Sequence, residues 1–215
     1  YDGLVRNKSG TLEIEPALAT DWTISDDGLE YTFNLREGVS FHDGTPFNAD
    51  AVKYTLDRMM DLDKPTRRTS LYEPFIDKVE VVDEYTISIY SEKPFGPMLA
   101  HMAHAAGAII SPTAYKKFGE DFSRNPVGTG PYKFVSWTAG DRVVLGRNDD
   151  YWGTKPKIKR IEFISVPETS SRMIMLQNRE VHVALNIAPH DVEMLEAHPN
   201  VQISNKPANG WYYFG

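Results

Sequence analysis

Apolar and polar side chains alternate without a break through YTFNL, residues 31–35, the period-two pattern of a strand with one face buried. SDDGLE just before it supplies turn residues, so a hairpin is predicted here. The period then changes. In NADAVKYTLDRMM, Val52, Leu56, Met59 and Met60 share one helical face behind Asn48, a suitable N-cap. VEVVDEYTISIY returns to strand texture and predicts a second hairpin, turning at Asp83 and Glu84. PFGPMLAHMAHAAGAIISP predicts a short apolar helix and a buried connection. SPTAYKKFG adds a helix capped by Ser111 with Pro112 at its first position. To about Phe122 the texture is hairpins plus helices, an α+β pattern.

Beyond that point the order is different. YKFVSW and RVVLGR predict a hairpin around TAGD, and IKRIEFISV a strand. ETSSRMIMLQN predicts a helix, EVHVAL a strand, PHDVEMLEAH a helix opened by Pro189, and VQIS another strand. Strand, helix, strand, helix, strand is the signature of a layered α/β unit with parallel crossovers.

Between the two textures lies NPVGTGPYKF, residues 125–134. A phosphate-binding loop needs successive backbone N–H groups facing one cavity and a Lys-Ser/Thr pair on the following helical turn. Pro131 has no N–H, and Tyr132, Lys133 and Phe134 already alternate as a strand does. Gly128, Gly130 and Pro131 are therefore read as a structural turn, the glycines permitting unusual φ or close backbone approach and the proline fixing φ before the strand.

Composition narrows the class. The 215 residues, 41% hydrophobic and 25% charged, can bury a sizeable core, and no run of apolar residues is long enough for a membrane span. A net charge of −7 repels phosphate backbones and argues against nucleic acid as a partner. With no cysteine, disulfides, thiolate metal sites and cysteine nucleophiles are all excluded. The start at Tyr1 lacks the basic and apolar regions of a signal peptide. The aromatic run NGWYYFG at the other end predicts an uncovered strand edge, so the sequence is expected to be a fragment.

Candidate chemistry is sparse. His101 and His104 stand three apart in a predicted helix, but no third ligand flanks them at metal-binding spacing, so no metal or cofactor is expected. His182, His190 and His198 recur every eight residues on different predicted elements. The acidic pairs Asp26 with Asp27, Asp61 with Asp63, and Asp149 with Asp150 sit in turns or helix ends, where Asp bonds local N–H groups. No nucleophile elbow, HExxH or Ser with a companion base stands out, and no catalytic residue is assigned. Trp211 and Tyr213 share one face of a predicted strand and Tyr212 the other, open to core packing or ligand contact alike.

Taken in order, YDGLV, ALATDWTISDDGLEYTFNLREGVSFHDGTPFNADAV, VEVVDEYTISI, NPVGTGPYKFVSW, RNDDYWGTKPKIKRIEF and TSSRMIMLQNREVHVA resemble the successive blocks of the family 5 extracellular solute-binding proteins. These are peptide, dipeptide, glutathione and nickel receptors of ATP-driven importers, and the resemblance covers essentially the whole chain. It implies an α/β, mixed α+β, periplasmic-binding-protein-like type II lobe with an extra α+β subdomain and the second lobe absent. Residues 1–122 would be the extra subdomain and residues 123–215 part of the main first lobe, ending at the hinge, with GTGPY returning the chain to the main sheet.

The resemblance implies a receptor, not an enzyme, that captures short peptides, di- or oligopeptides and glutathione among them. Its partners would be a permease and ATPases, its form a monomer, and its place periplasmic or extracellular, lipid-anchored or free. Closure of two lobes on a ligand shifts the population toward a shape that the transporter reads. Carried over from the family, Tyr72 in RRTSLYEPF is a ligand contact, as are His104 and Ala106 in MLAHMAHAAGAIISP, with Trp211 and Tyr213 at the hinge side. Nickel-binding relatives use a Trp and an Arg where this chain has Thr69 and Ala106, which removes a partner for a chelate's carboxylate. A nickel or other small-solute receptor of the same family, a sensory or chaperone module, and a hydrolase remain the alternatives.

Overall fold

The structure, a computed structural model, describes residues 1–63, 66 and 68–204. Its elements run in chain order β1 (Val5–Asn7), β2 (Ile14–Pro16), β3 (Ala19–Ile24), β4 (Glu30–Leu35), α1 (Ala49–Met60), α2 (Thr69–Tyr72), β5 (Lys78–Asp83), β6 (Thr86–Tyr90) and α3 (Met98–Ala103). There follow α4 (Pro112–Phe118), β7 (Tyr132–Thr138), β8 (Arg142–Arg147), β9 (Arg160–Ile164), α5 (Thr169–Gln177) and α6 (Val192–Glu196), with 3-10 turns at Ala105–Gly107, Gly119–Arg124 and Pro189–Asp191. The chain forms two compact units, Tyr1–Trp137 with Val143–Glu162, and Thr138–Arg142 with Phe163–Gly215.

The first unit is built on a four-stranded antiparallel sheet in the order β3-β4-β6-β5. Alternation in YTFNL does what it predicts: Tyr31, Phe33 and Leu35 are buried, while Thr32 and Asn34 face away. Phe33 pairs with Ile87 and Tyr31 with Ile89, so the apolar faces of β4 and β6 coincide. Val52, Leu56 and Met59 of α1 join this core, as do Met98 and Met102 of α3. Each fully buried side chain of this size contributes about 1.5–3 kcal/mol. Asn48 caps α1 by accepting from the Ala51 N–H at 3.1 Å. Ser111 does the same for α4 toward Ala114.

The second predicted hairpin forms with its turn one residue later, at Glu84 and Tyr85. Asp83 stays in β5 and its carboxylate accepts from the Tyr85 N–H at 2.9 Å. The Glu84 carbonyl accepts from the Ala49 N–H, which ties this turn to the start of α1. β7, β8 and β9 form a three-stranded sheet in that order.

In the second unit the expected crossover pattern is incomplete. α5 forms as predicted, but EVHVAL and VQIS are not strands, and the helix after Pro189 is a 3-10 turn followed by the short α6. A strand exists only where a neighbour offers its backbone groups, and the Glu180 and Val181 N–H groups that open EVHVAL donate instead to the Met175 carbonyl of α5. Asn186 adopts a left-handed φ of 57°, its carbonyl accepts from Arg172 at 3.1 Å, and Val183 and Leu185 are exposed. Arg172 also donates to the Val166 and Pro167 carbonyls, holding the loop before α5.

Candidate functional site

The site predicted around Tyr72, His104 and Ala106 is assembled in the first unit by three stretches of backbone. α2 presents Tyr72, which is buried and donates its phenol to the His101 carbonyl at 2.8 Å. α3 ends at His104, whose extended backbone lets its Nδ1 accept from the Ala106 N–H at 3.0 Å. This caps the turn Ala105–Gly107 and leaves Ala106 buried. Gly107 completes the turn because nothing larger fits: an added Cβ would stand 2.7 Å from the Met102 carbonyl oxygen and 2.9 Å from the Tyr72 hydroxyl. The third stretch is the chain start, where the Asp2 carbonyl accepts from Ile109.

Arg68, just before α2, was not singled out from the sequence. Its guanidinium donates to the Ala106 carbonyl at 3.0 Å, which places a positive charge beside that residue. Burial pushes the Tyr72 phenol up to about 12, and the Arg68 charge acts in the opposite direction. Only its arginine-rich setting, RRTS, hinted at it; the bond to position 106 depends on tertiary structure. Thr69, beside it, is buried and bonds Thr66.

Tyr72, His104 and Ala106 are thus brought together. Trp211 and Tyr213 lie outside the described residues. His101 and His104 make separate local contacts: His101 lies in α3 and its Nδ1 contacts the Pro97 carbonyl, while His104 serves the next turn. Among the described residues no group of three His, Asp or Glu side chains is arranged to hold a metal ion.

The turn at Gly128, Gly130 and Pro131 is a junction. Gly128 accepts from the His42 N–H, and the Gly130 carbonyl accepts from His42 Nε2 at 2.8 Å and Asn148 Nδ2 at 3.2 Å. Thr129, fully buried, donates to Asp2, whose carboxylate also receives the Trp152 indole N–H at 2.9 Å. Neither glycine has positive φ. What excludes a side chain is Tyr1, whose ring lies against Gly128 and whose backbone nitrogen lies against Gly130. This meets the second of the two reasons given for glycine there, close approach. His42 is pushed below its ordinary pKa by burial, with the Gly130 bond opposing and Lys133 assisting.

The profile of the bacterial extracellular solute-binding proteins, family 5 (Middle), matches residues 13–215. The chain belongs to this family. Family 5 relatives include the glutathione-binding protein GsiB of Shigella flexneri, 38% identical over 92% of this chain and 38% of that protein. GsiB of Salmonella typhimurium is 39% identical over the same shares. The chain therefore spans well under half the length of these relatives. Among solved structures, the ABC transporter-associated periplasmic binding protein DppA from Helicobacter pylori, in complex with peptide STSA, superposes with a TM-score of 0.86 at 35% identity, over 93% of this chain and 43% of that one. NikZ from Campylobacter jejuni, in complex with Ni(L-His), gives 0.83 at 29% identity, over 93% and 40%. The mixed α/β fold is that of family 5 periplasmic binding lobes.

Proposed function

We propose that this family 5 chain is the ligand-contacting part of a receptor that captures short peptides, glutathione among them, and delivers them to an ABC importer outside the cytoplasmic membrane. A permease and ATPases would be its partners, and no bond of the ligand would be broken. The observation that carries the reading is the bond from Arg68 to the Ala106 carbonyl, beside Tyr72 and the turn capped by His104. A guanidinium held there suits a carboxylate, which every peptide and glutathione carry. Relatives named for glutathione and for a bound peptide support the same class. Residues 1–122 would form the extra subdomain and 123–215 part of the main lobe, with Trp211 and Tyr213 as further contacts.

Calorimetry of the full-length receptor with glutathione, a dipeptide panel and nickel–histidine tests this. Saturable binding of a peptide or glutathione, weakened at least tenfold by Arg68→Ala without product formation, is expected. Turnover of the ligand, or binding of nickel–histidine alone, overturns it.

A further inference from the structure

A cavity of about 690 Å³ opens in the first unit between the segment after α2 and the segment after β6. It includes none of Arg68, Tyr72, His104 or Ala106. Its apolar wall is made by Phe75 and Phe95, whose rings stack with centroids 3.9 Å apart and an interplanar angle of 8°. Glu73, Asp77 and Glu92 line it from both segments, against the single ammonium of Lys93. Glu73, Asp77 and Glu92 are exposed and have no ion-pair partner among the described residues, while nearby Lys78 is engaged by Glu80 at 2.9 Å.

Ser91 adds an independent sign of a ligand. It lines the same cavity, is only 6% exposed, and its hydroxyl has no hydrogen-bond partner among the described residues. A buried hydroxyl without a partner carries an uncompensated desolvation cost, which an incoming donor removes. The carboxylates set the sign of that donor's charge. The aromatic wall accommodates an apolar stem and adds attraction for a cation over a ring face.

We propose that this cavity is a binding site for an alkylammonium or alkylguanidinium group, whose charged end is surrounded by Glu73, Asp77 and Glu92, donates to Ser91 Oγ, and rests its stem on Phe75 and Phe95. Such a group comes either from a free amine or from a basic side chain of a peptide. The site stands apart from the receptor role above and does not depend on it.

The test is a titration of the protein, followed by amide chemical shifts, with pentylamine, with an acetylated and amidated Ala-Lys-Ala peptide, and with pentanoate and pentanol as controls. Saturable shifts at residues of the cavity are expected for pentylamine and not for the controls. Binding of the capped peptide as well assigns the site to basic side chains; its failure beside pentylamine binding assigns it to free amines. The variant Glu73→Gln/Asp77→Asn/Glu92→Gln changes only exposed side chains and should retain its melting temperature while binding at least tenfold more weakly, and Ser91→Ala should weaken binding severalfold. Equal binding of pentanol, unchanged affinity in the triple variant, or no saturable shift with pentylamine or the peptide overturns the proposal.

Discussion

His42 Nε2 donates to the Gly130 carbonyl at 2.8 Å, joining the FHDGT loop to the turn before β7. A carbonyl only accepts, so the proton sits on Nε2, and Nδ1 is left a buried acceptor without a partner among the described residues. His42→Ala is expected to lower stability by about 0.5–1.5 kcal/mol, the range for one lost hydrogen bond, because Asn148 still serves the Gly130 carbonyl. Denaturant melts at pH 7 check it.

The same residue makes stability depend on pH. Burial holds the folded pKa of His42 below its ordinary value, so the unfolded chain binds a proton more readily. Its contribution is fully present above the ordinary histidine range, near pH 6.5, and is lost as pH falls through the lower folded value. His42→Gln should flatten the decline in stability between pH 7 and 5. An unchanged slope would assign that decline to other groups.

Gly130 and Gly140 separate two reasons for glycine. Gly140 has a φ of 76° with open space around it, whereas Gly130 has ordinary φ and no space because the Tyr1 nitrogen lies against it. Gly140→Ala should cost about 1 kcal/mol through backbone strain. Gly130→Ala should cost more, on the order of 1–3 kcal/mol, through overpacking. Parallel thermal scans give the order directly.

Ser111 works twice: its hydroxyl donates to Asp43 at 2.6 Å and accepts from the Ala114 N–H at 3.1 Å. Burial raises the Asp43 pKa, but bonds from Ser111 and Thr45 outweigh it and hold the carboxyl below its usual range. That contribution is present above the ordinary carboxylate pKa and is lost as pH falls through the folded value. Ser111→Ala should therefore cost about 1–2 kcal/mol at neutral pH as a lost cap and reduce the acid sensitivity of the fold. Melting temperatures at pH 7 and pH 3 test both halves.

Tyr72 should remain a phenol to high pH. Its pKa is pushed up to about 12, while in the unfolded chain it ionises near pH 10. Stability should fall as pH rises from 10 toward 12, and Tyr72→Phe should remove part of that fall. At pH 7 the same variant should cost about 1 kcal/mol for the lost bond to the His101 carbonyl. Ultraviolet titration of the phenols and melts at both pH values decide it.

Elements whose pattern is local were legible in the sequence. The face of α1 and the β3–β4 hairpin follow from spacing and turn residues alone, and both caps follow from side-chain type. EVHVAL carried a strand's composition, yet a strand is a relation between segments, and its first two N–H groups, of Glu180 and Val181, donate to the Met175 carbonyl of α5. Tyr72, His104 and Ala106 entered through family resemblance alone, and the structure brings the three together. Arg68 was not legible, because its partner is a backbone carbonyl far along the chain. The glycines around Thr129 announced a special turn, but Tyr1 as the reason is visible only in three dimensions.

The peptide unit at Gly130 receives His42 from one direction and Asn148 from another, while its neighbour Thr129 fastens Asp2. A clasp made from such distant stretches closes only after most of the first unit is threaded and in place. During folding it should therefore lock late, and once locked it should keep the beginning of the chain anchored even after a protease has severed an exposed loop elsewhere.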